Sequence, residues 1–131
     1  MGTAITAGTI SVDGTSFEQD KQTLTLTAAA TTSTVFSIGK MQSRGEILLK
    51  AVTDIVVAAA NTLKVELLED IASDGSFAKV TLLETFAPGT LSGTFLKWVS
   101  NDDTLCYGKI KITPSEDQTG EFVTLDFRRL V

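Results

Sequence analysis

In Thr62-Leu63-Lys64-Val65-Glu66-Leu67 apolar and polar residues alternate without a break. Successive side chains of an extended chain point to opposite faces, so Leu63, Val65 and Leu67 can enter a core while Lys64 and Glu66 meet water. The segment is predicted to be a half-buried strand. After Asp70, Ser73-Asp74-Gly75-Ser76 supplies residues that tolerate turn geometry, and Phe77 to Phe86 then brings Ala78, Val80 and Leu82 back onto one face. The two segments form a predicted hairpin or sheet corner.

The same period recurs on both sides. Leu24 and Leu26 alternate with threonines from Gln22 onward, and Phe36 and Ile38 alternate with Val35 and Ser37. Glu46 to Val52 follows as a further strand, after a glycine-bracketed loop carrying Lys40, Met41 and Arg44. Residues 51–60 fit one face of a helix as well. Their Val and Ile content and the turn-like Asn61-Thr62 favour strand, loop, strand. Pro88-Gly89 and Ser92-Gly93 mark turns that isolate Thr94 to Val99, with Phe95 and Val99 on one face and Leu96 and Trp98 on the other. Ser100 to Asp103 is a polar loop. Ile110 and Ile112 on one arm, then Val123, Leu125 and Phe127 on the other, give a closing hairpin around a turn from Pro114 to Gly120. The chain's 20 threonines suit such strands, because β-branched residues pack better on a pleated surface than on a helix. The expected architecture is all-β, with two packed antiparallel sheets.

At 131 residues the chain is sized for one domain with its own core. Residues Met1 to Glu18 are small, polar and unpatterned, and predict an N-terminal arm; the expected division is arm 1–21 and β-sandwich 22–131. No apolar run approaches the roughly 18 residues that cross a bilayer. The opening residues also lack the basic start and apolar block of a secretory signal, so the chain is expected to stay where it is made. A lone cysteine, Cys106, permits no internal disulfide and is expected as a small core residue.

Chemistry is sparsely provided. The chain contains no histidine, the commonest general base and metal ligand. Asp70 to Thr81 places Asp70, Asp74 and Gly75 as a calcium loop would, but Ala72 and Thr81 stand where an oxygen ligand and the bidentate carboxylate belong. An ordinary solvated turn is expected there. Asp102-Asp103 and Glu116-Asp117 sit in loop-like stretches, and Gly89 and Gly93 lack the length and lysine of a phosphate loop. No catalytic residue, cofactor or metal is therefore expected. The net charge of −5, with Lys and Arg dispersed, argues against nucleic acid. Trp98 and Tyr107 could stack on a sugar ring, although core packing of the first and a strand-end position of the second explain them as well.

The order of these segments resembles the jelly-roll capsid cement, or decoration, proteins of tailed bacteriophages. The residues that carry the resemblance are Gln22 through Gly39, Gly45 to Val52, Thr62 to Leu67 with Asp74-Gly75-Ser76-Phe77 behind it, and Tyr107 to Ile112 with Gly120 to Leu125. It covers roughly residues 22 to 131 and departs at the extra arm and at Thr94 to Trp98. It implies a structural, non-enzymatic protein of the virion that binds the outside of an icosahedral capsid and braces neighbouring major capsid proteins after assembly in the host cytoplasm. A carbohydrate-binding module and a phage tail or fibre domain are the alternatives.

The resemblance also implies self-association, as a homodimer or alternatively a homotrimer. The last strand is the expected edge, because Phe122 lies opposite Val123, Leu125 and Phe127 and is too apolar for open water. In the arm, Ile10 and Val12 flank Ser11 ahead of an Asp13-Gly14 turn, so with Phe17 they could add a strand to a neighbouring sheet. Ile10, Val12, Phe17 and Phe122 are the expected interface residues.

Overall fold

The computed structural model describes the backbone of residues 3–4, 8–12, 15–38, 45–99 and 105–130, and the side chains of 21–38, 45–99 and 105–128. Among these residues there is no helix. The strands are β1 (Thr3–Ala4), β2 (Gly8–Val12), β3 (Thr15–Thr25), β4 (Thr31–Thr32), β5 (Phe36–Ser37), β6 (Gly45–Ala51), β7 (Ile55–Val57), β8 (Leu63–Asp70), β9 (Lys79–Phe86), β10 (Gly89–Leu91), β11 (Thr94–Val99), β12 (Tyr107–Pro114) and β13 (Phe122–Leu130).

The first sheet runs β1-β3-β13-β6-β11, with β2 also lying along β3. The second runs β4-β12-β8-β9, with β5 also on β12, and β7 and β10 form a small ribbon. All these pairings are antiparallel. Taking β4 and β5 as one broken strand and setting the arm and ribbon aside, the eight main strands fall in the order 1-8-3-6 in one sheet and 2-7-4-5 in the other. The protein is an antiparallel β-sandwich of the jelly-roll type.

The alternation that predicts β8 is realised in full. Leu63, Val65 and Leu67 have no exposed surface, and Ile110 and Ile112 on β12 and Val123, Leu125 and Phe127 on β13 join them from both sheets. Phe36 and Phe127 stack across the core at 4.8 Å between ring centres. Two glycines make room for this pair. A Cβ on Gly45 would lie 2.9 Å from the Phe127 ring, and one on Gly108 would lie 3.0 Å from the Phe36 ring. Any other residue at either position would push a ring off its partner. Residues 51–60 are a strand end, a loop and β7, and their apparent helical face of Val52, Ile55, Val56 and Ala59 is broken up, with Ile55 buried and the other three exposed.

Several expectations are corrected. β13 is no edge: it lies between β3 and β6, and Phe122 projects outward from the interior of a sheet. Alternation marks a strand as half-buried but carries no information on how many neighbours it has. The Val80 and Leu82 face of β9 points to solvent, while Leu83 and Phe86 pack on the core. Val80 and Leu82 are apolar residues alternating on the outer face, where period alone cannot tell them from core; the bulge opposite Val65 and Glu66 comes after them and shifts the phase so that Phe86 turns inward. The expected boundary between 21 and 22 falls inside β3, which begins at Thr15. The polar run Glu18 to Gln22 hides this strand from hydrophobic pattern reading. Cys106 is half-buried rather than part of the core. The loop with Lys40, Met41 and Arg44 and the pair Asp102-Asp103 lie outside the described residues.

Candidate interaction surface

Among the described residues no group of three or more His, Cys, Asp or Glu side chains is placed to hold a metal ion. The Asp70 carboxylate is occupied by its own turn: one oxygen accepts the Ala72 N–H and the other the Phe77 N–H, each at 3.0 Å. Gly75 lies against this carboxylate, where a Cβ would collide with it. The backbone donors, Ala72 first and Phe77 next, hold the Asp70 carboxyl below its ordinary value. Asp117 is lowered in the same direction by the Thr119 hydroxyl and then the Thr119 N–H.

A pH dependence follows. A carboxylate whose folded pKa is depressed contributes stability above its unfolded pKa and loses it as pH falls through the folded value. Asp70→Asn should lower the denaturant midpoint at neutral pH, and the gap from the parent should close on acidification below the ordinary Asp range near 3.8. Midpoints measured across that range check this.

The surface divides by charge. On the outer face of the first sheet Lys97, Glu46, Arg128 and Asp126 form a ladder, with contacts of 3.6, 3.5 and 3.1 Å along it. At one end of the sandwich the connections 26–30, 52–62, 87–93 and 115–121 carry Asp54, Glu116, Asp117 and Glu121 and no lysine or arginine. These loops are laced together. Glu116 accepts the Ala58 N–H at 2.9 Å, and the buried Gln118 side chain donates to the Val56 carbonyl at 3.0 Å. Ser115 accepts the Thr62 N–H and donates to Asn61, and Ser92 donates to Asp54. Within this acidic rim Val52, Val56 and Phe122 are exposed, at 54%, 58% and 40%. The Val52 N–H donates to the Phe122 carbonyl, so the two residues stand side by side on the outer face.

Phe122 is thus the expected interface residue with a described, exposed side chain. The backbones of Ile10, Val12 and Phe17 lie in a hairpin in which Ile10 pairs with Phe17 and Val12 with Thr15 of the chain's own β3. Their side chains lie outside those described. Val52 and Val56 were missed because each stands directly beside buried apolar residues, Ala51 for the first and Ile55 and Val57 for the second, so that consecutive apolar side chains, without alternation, leave the outer face unmarked. The two candidate sugar-stacking residues are not brought together: Trp98 packs inward from β11 of the first sheet, and Tyr107 starts β12 of the second.

The sequence matches no protein-family model and no curated protein. Among solved structures it is similar to a CBM4 domain (10% identity, 95% of this chain and 73% of that one, TM-score 0.34). It is also similar to CBM29_1, a family 29 carbohydrate-binding module from Piromyces equi (11%, 98% and 78%, TM-score 0.36). A third is carbohydrate-binding module CBM36 in complex with calcium and xylotriose (14%, 100% and 99%, TM-score 0.31). These likenesses assign neither ligand nor function to the chain.

Proposed function

We propose that the chain is a non-enzymatic capsid cement protein, which docks on the outer surface of an icosahedral phage capsid and braces adjacent copies of the major capsid protein. The observation that carries this is the laced end of the sandwich. Its loops are cross-linked by side-chain hydrogen bonds into a stiff platform, and it presents Val52, Val56 and Phe122 among loops whose charged residues are all acidic. A stiff, partly apolar surface with charge of one sign suits docking on a basic protein surface, where the rim steers approach and the apolar centre supplies retention. Many weak contacts on one closed shell then act together through high effective concentration. The carbohydrate-binding alternative has less support, because Trp98 and Tyr107 form no shared stacking surface.

Shells assembled without the protein should take it up to a fixed occupancy and gain resistance to heat. Val56→Asp, a change at an exposed position, should leave the melting temperature of the free protein unchanged and reduce that occupancy about tenfold, the effect of removing one central apolar contact. Shells that bind none of the parent protein at any stage of expansion would exclude a cement role.

A further inference from the structure

We propose that β9 is a self-pairing edge through which two copies of the chain join antiparallel, merging their second sheets into one. This surface is separate from the laced end, and the proposal stands whether or not the protein binds capsids. Among the described residues β9 has β8 on one side and no strand on the other. An exposed edge is ordinarily blunted by short length, a central charge, a proline or a bulge. At the opposite margin of the second sheet β4 and β5 are two residues each, and β11 in the first sheet carries exposed Lys97 at mid-strand and a bulge between Thr94 and Leu96. β9 has eight residues and no proline, and its bulge comes only after Leu82. Its charges, Lys79 and Glu84, leave Val80-Thr81-Leu82-Leu83 uncharged between them. The outward side chains of this stretch, Val80 and Leu82, are 53% and 56% exposed, with half-buried Leu68 of β8 beside Val80.

The occupant that fits is a second copy. A two-fold axis through Thr81, perpendicular to the sheet, sets Val80 of each copy opposite Leu82 of the other, so both apolar pairs are covered at once. Charge selects the same arrangement. Antiparallel pairing brings the Lys79 end of one strand, whose amine also lies 3.7 Å from the buried Glu69 of its own β8, beside the Glu84 end of the other, whereas in-register parallel pairing would align like charges. A strand pair of this length buries less than the roughly 1,200 Å² of a standard interface, so the dimer should depend on concentration in solution.

Sedimentation equilibrium from low micromolar to millimolar concentration, on the parent and on Leu82→Lys, tests this. The parent should show a monomer–dimer equilibrium, and Leu82→Lys should raise its dissociation constant by at least about tenfold with an unchanged melting temperature, since the replaced side chain is exposed. Glu84→Lys should weaken the dimer as well, by less at high salt. In the parent, amide exchange at residues 80–83 should slow as concentration rises. A parent that stays monomeric at millimolar concentration overturns the proposal, as does a dimer that persists undiminished in Leu82→Lys.

Discussion

Phe127→Ala is expected to be the most damaging single substitution in the described core, lowering stability by roughly 3–5 kcal/mol. Phe127 is 1% exposed, and its ring stacks on Phe36 at 4.8 Å, joining a strand of the first sheet to one packed on the second. Truncation removes its apolar burial, the aromatic contact and the ring that fills the space over Gly45. The cavity cannot be refilled locally, because the strand positions around it belong to hydrogen-bonded ladders on both sides of β13. Against a total stability of about 5–15 kcal/mol for an ordinary domain, this loss removes a fifth or more of the reserve. Chemical denaturation of the parent and the variant measures it, and a loss below about 1 kcal/mol would show that the stacked pair does not tie the sheets together.

Deleting residues 2–21 should abolish the cooperative unfolding transition, whereas deleting 2–14 should preserve it. The difference lies in β3, which pairs with β13 from Phe17–Leu130 to Thr25–Phe122. The longer deletion leaves only Gln22 to Thr25 of that ladder and opens one side of β13 to water. Each backbone hydrogen bond contributes about 0.5–1.5 kcal/mol net, so five or so lost pairs rival the whole stability of the domain. The shorter deletion removes β1 and β2, which lie on the far side of β3. Thermal scans by circular dichroism distinguish the two. A cooperative transition retained after the longer deletion would mean that the arm ends at residue 21, as the polar composition of Glu18 to Lys21 suggests.

What could be read from the sequence follows from which forces act locally. Leu63, Val65 and Leu67, or Val123, Leu125 and Phe127, must alternate if one face of a strand is buried, so β8 and β13 are visible without any knowledge of their neighbours. The sheet order that makes β13 central depends on contacts about a hundred residues apart, and nothing at Phe122 records them. β9 misleads for a different reason: Val80 and Leu82 alternate as core residues would but on its outer face, and the residue inserted after Leu82 reverses the later side chains, bringing Phe86 inward. Gln22 shows the limit for polar groups. Its buried amide accepts the Thr34 N–H at 2.9 Å and donates to the Thr34 carbonyl at 3.1 Å, standing in for a strand between β4 and β5. A glutamine within a polar stretch of strand gives no sign of that partner. Of the surface proposed for docking, Phe122 was legible as an apolar residue on the wrong face, whereas Val52 and Val56 were not.

The pairing of β3 with β13 also bears on how the protein is made. On the ribosome β3 emerges early, yet its long partner strand is translated about a hundred residues later, which at ~5–20 residues per second is a delay of several seconds or more. Until then the β8–β9 and β6–β11 ribbons can form, but the inward-facing Leu24 has no sheet to join. The side of β3 that faces β13 therefore stays open until β13 has been translated, and the first sheet closes only when β13 enters between β3 and β6.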